Sequence, residues 1–321
     1  MAPNANKTVD LLRAMLRIRR VEETIADVYP QGVIRTPTHL SIGQEAIAVG
    51  VCSRLRKTDQ IFSGHRCHAH YLAKGGDLRR FVAELYGRES GCSRGRGGSV
   101  HLIDTSAGMM GSSAILGGST ALALGAALAF QYDKRDLIAV AFLGDAVFEE
   151  GIIWECFNVA VLHKLPILFV CENNRYSTNT HYSRRQPPIP IHQRVEGMGV
   201  PSVFVDGNDV IVVAECAGRM IDECRRGGGP QMIEAETYRI REHVGPLFDY
   251  QLGIRSKEEV KAWIAKCPVK RLREQLISCG ALSEIELGEM ESEVRREIED
   301  AFSFAQSSSW PEPGGLHDFT Y

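Results

Sequence analysis

Apolar positions along the chain fall into two kinds of run. Between Thr8 and Val28 the residues Leu11, Leu12, Met15, Leu16, Ile25 and Val28 recur at near-helical spacing, which predicts an amphipathic opening helix with Thr8 as its N-cap. Ser41-Ile-Gly-Gln44 has the spacing of a capping box ahead of the apolar run Ala46 to Leu55. It predicts a helix starting at Ser41, with His39 in the turn before it. A third helix is predicted over Asp77 to Tyr86, and the glycine-dense stretch Gly87 to Gly98 that follows is compatible only with an irregular loop.

From Leu137 the pattern changes. Leu137-Ile-Ala-Val-Ala-Phe-Leu143 and Ile167-Leu-Phe-Val-Cys171 are continuous apolar runs suited to strands buried on both faces, with a helical stretch to His163 between them. Residues 137 to 172 thus predict strand, crossover helix, parallel strand, with a ligand crevice at the carboxyl ends near 144 and 173. Two further strands, Ser202 to Val205 and Gln231 to Ala235, bracket a helix from Asp209 to Arg226. The alternation is that of an α/β fold, a doubly wound, mostly parallel sheet with helices on both faces. Beyond Tyr238 a non-periodic stretch to about Ser256 is too long for a simple connector, hence functional or mobile. Ser283-Glu-Ile-Glu286 is another capping box, opening a charged helix to about Gln306. With no repeat or linker, residues 1–321 are expected to be a single domain, with a core at about 40–240, a helical N-terminal extension and a C-terminal one at about 257–307.

Composition narrows the class of function. The 321 residues are 44% hydrophobic and 24% charged, which excludes a disordered or collagen-like chain. Lys and Arg total 37 against 40 Asp and Glu, so a net charge of −3 supplies no field to gather nucleic acid. The nine cysteines are scattered without metal or redox spacing and are expected to be reduced, mostly core residues. The amino terminus lacks a signal or transit pattern, so a cytoplasmic location is expected. The longest apolar run, Ala114 to Phe130, is interrupted by Gly117-Gly-Ser-Thr120 and falls short of the ~20 residues of a membrane span.

Walker, zincin and nucleophile-elbow motifs are absent, and the Gly95 loop fails the dinucleotide fingerprint because Val100 occupies its sixth position. What remains is Gly144-Asp-Ala-Val-Phe-Glu-Glu-Gly151 after one strand and Glu172-Asn-Asn-Arg-Tyr176 after the next. Taken singly, Asp145 would cap a helix and Asn173-Asn174 would make a turn. Together, 28 residues apart (146 to 173), Asp145 and Asn174 offer one carboxylate and one amide oxygen on the same sheet edge. That ligand set suits Mg²⁺ holding a diphosphate. A helix beginning near Ala146 would aim its free N–H groups at the same anion.

This GD…NN pattern resembles the thiamine diphosphate motif. His39-Leu-Ser-Ile-Gly-Gln-Glu-Ala46, Gly64-His-Arg-Cys-His-Ala-His70, Gly91-Cys-Ser-Arg-Gly-Arg-Gly-Gly-Ser-Val-His101 and Thr237-Tyr-Arg239 resemble segments of the alpha subunit of 2-oxo acid dehydrogenase decarboxylases, pyruvate and acetoin dehydrogenases among them. The resemblance covers about residues 10 to 305 and implies the thiamine-diphosphate-binding fold. It implies that Asp145, Asn174 and the carbonyl of Tyr176 bind Mg²⁺, that Ala146 and Val147 offer N–H groups to the diphosphate, and that Arg66 pairs with the phosphates beside His65. It places Ala114 and Leu116 under the cofactor, His39 near the substrate, His243 on a loop reaching the diphosphate, and His68 one layer behind.

Several positions depart from that pattern. Ala146 replaces a glycine but keeps the N–H; Glu149 adds a carboxylate that either caps or alters the site's charge; Ser113-Ala114 replaces Asn-Gly; and Arg241 to Tyr250 is altered, with Val244 at a regulatory serine position. The resemblance further implies a separate beta subunit carrying the pyrimidine-binding domain, in an α2β2 assembly. The leading function is decarboxylation of a small 2-oxo acid with acyl transfer to a lipoyl carrier. Acetoin (acyloin) cleavage, favoured by His65, a biosynthetic transfer to a non-lipoyl acceptor, favoured by the 241–250 loop, and a non-catalytic structural subunit are the alternatives.

Overall fold

The computed structural model describes residues 5–315 and 318. Its strands are β1 (Gln60–Ser63), β2 (Met109–Ser112), β3 (Ala139–Gly144), β4 (Ile167–Asn173), β5 (Tyr176–Ser177), β6 (Thr180–His181), β7 (Ser202–Asp206) and β8 (Gln231–Glu236). Six of them form a parallel sheet in the order β2-β1-β3-β4-β8-β7, while β5 and β6 make a small antiparallel hairpin. The continuous apolar runs are explained by two-sided burial. Successive side chains alternate between faces, so Val140, Phe142, Leu168 and Val170 join one core, and Ala139, Ala141, Leu143, Ile167 and Phe169 join the other.

The first core is closed by α1 (Ala5–Val28), α2 (Glu45–Cys52), α3 (His68–Ala73), α4 (Leu78–Leu85) and α8 (Val210–Arg225), and the second by α5 (Gly118–Tyr132), α6 (Gly151–His163) and α7 (Ile191–Glu196). A C-terminal helical extension, α9 (Lys257–Ile264), α10 (Pro268–Ser278) and α11 (Glu284–Ser307), adds Val260, Leu272, Leu276 and Met290 to the first core. The parallel α/β architecture and the extension match the expectation. Asp77 and Asp209 cap α4 and α8, and Ser283 and Glu286 complete their capping box. All nine cysteines are free and six are buried.

Three local expectations are corrected. Thr8 does not cap α1, which already runs from Ala5. The Ser41–Gln44 capping box does not form: the helix begins at Glu45, and Ser41 and Gln44 are joined only by a backbone turn bond (2.9 Å). Glu45, fully buried, instead accepts from Arg19 (2.6 Å) and from the N–H of Gly43 (3.1 Å), a charge-assisted pairing that decides where the helix starts. No helix begins near Ala146 either. A 3-10 turn covers Asp145–Glu149, and α6 starts only at Gly151. The short strands β1 and β2, which the apolar pattern did not predict, complete the sheet.

The glycine loop after α4 is wound around the chain's own carboxylate. Glu84, fully buried, accepts four backbone N–H bonds: Ser93 (2.7 Å) and Gly95 (2.9 Å) on one oxygen, Gly97 (2.7 Å) and Gly98 (3.1 Å) on the other. Such a nest requires left-handed backbone, as at Gly95 (φ 73°) and Gly98 (φ 56°), where a Cβ would also strike Thr36 at 2.4 Å. Replacing Glu84 with alanine leaves four backbone donors, one buried and three half-buried, without their carboxylate and is expected to cost about 3 kcal/mol. Urea denaturation checks the loss, and limited proteolysis within 87–98 checks its location.

Candidate functional site

From β1 the chain proceeds to β2 on one side, and from β3 to β4 on the other. The neighbours β1 and β3 therefore form the switch point of the sheet, outside whose carboxyl ends a crevice opens. A cavity of about 290 Å³ occupies it. The residues expected to touch cofactor, metal or substrate all line this cavity: His65 and Arg66 after β1, Ala114 and Leu116 after β2, Asp145, Ala146 and Val147 after β3, Asn174 and Tyr176 after β4, with His39 and His243 on loops above. His68 does not line it. It is buried between Glu22 of α1 (3.0 Å) and Ser99 of the glycine loop (2.8 Å), tying those two segments together one layer away.

Asp145 is buried at the head of the 3-10 turn. Its Oδ2 accepts from Arg185 at 2.5 Å, and the same guanidinium pairs with Glu149. Gln186 donates to the carbonyl of Asp145 (2.8 Å) and to Glu149 (3.0 Å). Glu149 thus caps no helix; it shares one arginine with Asp145. Burial raises the Asp145 carboxyl above the usual range, and Arg185 opposes that rise. Arg185 carries a cation's charge at the carboxylate.

Both asparagines build the turn after β4. Asn173 Oδ1 accepts from the N–H of Arg175 and Asn174 Oδ1 from that of Tyr176, each at 3.1 Å, around Arg175 in left-handed geometry (φ 66°). Asn173 Nδ2 is drawn away to Glu234 (2.7 Å), whereas Asn174 faces the cavity.

Arg66 is buried, donates to the carbonyl of Leu40 at 2.5 Å, and has no carboxylate within ion-pair distance among the described residues. Burial, reinforced by Arg239 and opposed by Glu172, lowers its guanidinium to about 9. A buried cation without a counter-ion, at the wall of a cavity, demands an anion. With Asp145 and Asn174 oxygen donors opposite, the residues present fit a diphosphate and its dication.

Three imidazoles crowd the cavity's upper wall. Ring centroids lie 4.4 Å apart for His39 and His65, 4.9 Å for His39 and His243, and 5.4 Å for His65 and His243. Burial first, and Arg66 second, lower all three: His39 to about 2, His65 to about 3, His243 to about 4. The loop carrying His243 is ordered. Buried Asp249 lies between Arg239 (2.8 Å) and Arg255 (2.5 Å), and the N–H of Gly245 donates to the carbonyl of Thr38 (3.0 Å), beside His39.

Sequence reasoning missed a second row of cavity residues. Ser63 Oγ meets His70 Nδ1 at 2.8 Å, and His70 Nε2 meets Glu172 at 3.2 Å, a buried chain beneath the histidines. Its residues lay within or beside the quoted motifs, but β1 was unrecognised, so nothing put Ser63 on the sheet edge. No sequence signal pointed to Arg185.

Residues 13–314 match the family model of the dehydrogenase E1 component. The chain belongs to the dehydrogenase E1 component family. It is 37% identical over 315 residues to the pyruvate dehydrogenase E1 component subunit alpha of Porphyra purpurea, covering 96% of this chain and 90% of the relative. It is 38% identical over 306 residues to the protein of the same name in Rhizobium meliloti (95% and 87% covered). The alpha subunit of the acetoin:2,6-dichlorophenolindophenol oxidoreductase of Bacillus subtilis is 36% identical over 310 residues (97% and 92%). The E1 chain is accordingly the alpha subunit of a thiamine-diphosphate-dependent 2-oxo acid decarboxylase, an oxidoreductase-type enzyme working with a divalent metal such as Mg²⁺. Being an E1 alpha subunit implies a beta-subunit partner and a lipoyl-carrying E2 component. Neither a non-lipoyl acceptor nor a non-catalytic role is favoured by these relatives.

The three cavity imidazoles should stay neutral through the physiological range. Their pKa values are depressed on folding, so the unfolded chain binds protons first; stability is complete above about pH 6.5 and falls as pH drops toward 4. Histidine ¹³Cε1 NMR should show three of the ten rings unmoved between pH 8 and 5.5.

Proposed function

We propose that this cavity is where the E1 chain holds its cofactor, with Asp145, Asn174 and the Tyr176 carbonyl binding Mg²⁺, and the N–H groups of Ala146 and Val147 and the Arg66 guanidinium taking the diphosphate beside His65. The observation that carries this reading is Arg66, buried and without a carboxylate partner opposite a carboxylate and an amide oxygen. Arg185 on Asp145 supports it, since that carboxylate already holds positive charge in place. Loss of the helix start near Ala146 shifts the burden of anion binding from a helix N-terminus to the 3-10 turn and Arg66.

Bound thiamine diphosphate supplies the nucleophilic carbon and the electron sink for decarboxylation. Around it, Ala114 and Leu116 form the floor, and neutral His39 and His243 accept or hold protons at their ring nitrogens near the substrate carbonyl. Burial and Arg66 keep both rings neutral and weakly basic; an anion paired with Arg66 would relieve that depression and bring them closer to the range where imidazole transfers protons. The substrate is a small 2-oxo acid, with pyruvate the first to assay.

Residues 1–321 act as one diphosphate-binding domain within an α2β2 assembly, located in the cytoplasm. The exposed Ile115 (71%), Leu122 (62%) and Leu162 (73%), flanking the mouth and α5, support a beta subunit covering that side. No helix of the described residues is long and apolar enough to cross a membrane.

Calorimetric titration of thiamine diphosphate with Mg²⁺ into the complex with the beta subunit tests the reading. Asp145→Ala should weaken binding at least a hundredfold, and Arg66→Met at least tenfold. Unchanged affinity in both would remove the cofactor from this cavity. Lipoyl-independent turnover of pyruvate at full rate would overturn the acceptor.

A further inference from the structure

We propose that His39, His65 and His243 form a second metal site, separate from Asp145 and Asn174 and selective for a borderline transition-metal dication such as Zn²⁺. One ligating nitrogen from each ring lies within 4.8 Å of the other two. A tetrahedral zinc ion with Zn–N bonds of about 2.0–2.1 Å needs nitrogens about 3.3 Å apart, so the widest pair must close by about 1.5 Å. Because the loop carrying His243 is already held to Thr38 through the Gly245 N–H (3.0 Å), that closure falls to rotation of the imidazoles about their own side-chain torsions.

The second observation is the way His39 is held. Other buried imidazoles in the E1 chain are anchored through both nitrogens, His68 by Glu22 and Ser99, His70 by Ser63 and Glu172. His39 is 8% exposed, yet its buried Nδ1 has no hydrogen-bond partner. The three rings meet one another instead of polar groups, and each borders the open cavity, which leaves a fourth position for water or an anion. Lone pairs at all three are uncommitted to protons.

Charge decides which ions fit. Arg66 and Arg239 face the cluster and oppose any cation held by electrostatics alone. Binding must come from nitrogen-to-metal bonding, which favours Zn²⁺, Ni²⁺ and Cu²⁺ over Mg²⁺ and Ca²⁺. An ion here occupies the lone pairs of His39 and His243 and pins the 243 loop to the His39 segment, giving inhibition that a chelator reverses. That inhibition rests on the catalytic part proposed above for the two histidines; the site itself does not.

The test uses the E1 chain with its beta subunit, free of thiamine diphosphate and in excess Mg²⁺. Co²⁺ should bind one per alpha subunit with the intense visible bands of a four-coordinate ion, and Zn²⁺ should displace it. His65→Gln and His243→Gln should each weaken Zn²⁺ at least tenfold in competition with a chromogenic chelator. A six-coordinate Co²⁺ spectrum, or thiolate charge-transfer bands with affinity unchanged in both variants, as from the exposed Cys279, would overturn the site. Variant-sensitive binding that leaves pyruvate turnover untouched would uphold the site and remove the histidines from the proposed proton transfer.

Discussion

The in-register pairing of β3 with β4 is the constraint on which the site depends. Six consecutive partners, from Ala139 opposite Ile167 to Gly144 opposite Glu172, bring the two strands to the same edge. Asp145 and Asn174 then emerge side by side without any contact of their own being needed. Because strand side chains alternate, a slip of one residue would exchange the two cores and turn Asp145 from the cavity. Two-sided apolar burial makes that slip prohibitive, so hydrophobic packing far from the chemistry fixes the spacing of the polar groups.

Electrostatics around the cavity is organised by unequal compensation. Asp249 sits between two buried arginines, Arg239 and Arg255, and Asp145 shares Arg185 with Glu149, while Arg66 has no acidic partner among the described residues. The excess positive charge on the Arg66 and Arg239 side lowers the imidazoles. One imbalance therefore prepares an anion site and keeps its neighbours unprotonated. Glu149, an addition to the family pattern, draws on the same guanidinium as Asp145, so two carboxylates stand against one arginine on that side of the cavity.

Much of this was legible in the chain. Strands β3 and β4 declared themselves because burial on both faces leaves continuous apolar runs, β7 and β8 were read from their place around the α8 helix in the alternation, and the spacing of Asp145 and Asn174 followed from the first pair. Four-residue β1 and β2 carry too little pattern: Gln60-Ile-Phe-Ser63 and Met109-Met-Gly-Ser112 have no periodicity to count. Ser41 and Gln44 misled because Glu45, buried against Arg19, outcompetes a local cap through a tertiary ion pair. Arg185 was invisible for the same reason, its partners lying about forty residues away in sequence. The 239–256 stretch could be recognised as unpatterned, but its order comes from Asp249 pairing with Arg239 and Arg255 at the two ends of the same stretch, a closure that no periodicity announces.

The nest around Glu84 bears on how this chain tolerates rearrangement. A surface segment joined to the body only at its ends can be lengthened, exchanged or cut with little penalty. Residues 93–98 are instead fastened by their backbone to a carboxylate on α4 and, through Ser99 and His68, to Glu22 on α1. Helix and loop form a single mechanical unit, so α4 and the loop would have to be transplanted together into a chimera, and a new chain terminus opened within 93–98 would loosen the first helix as well.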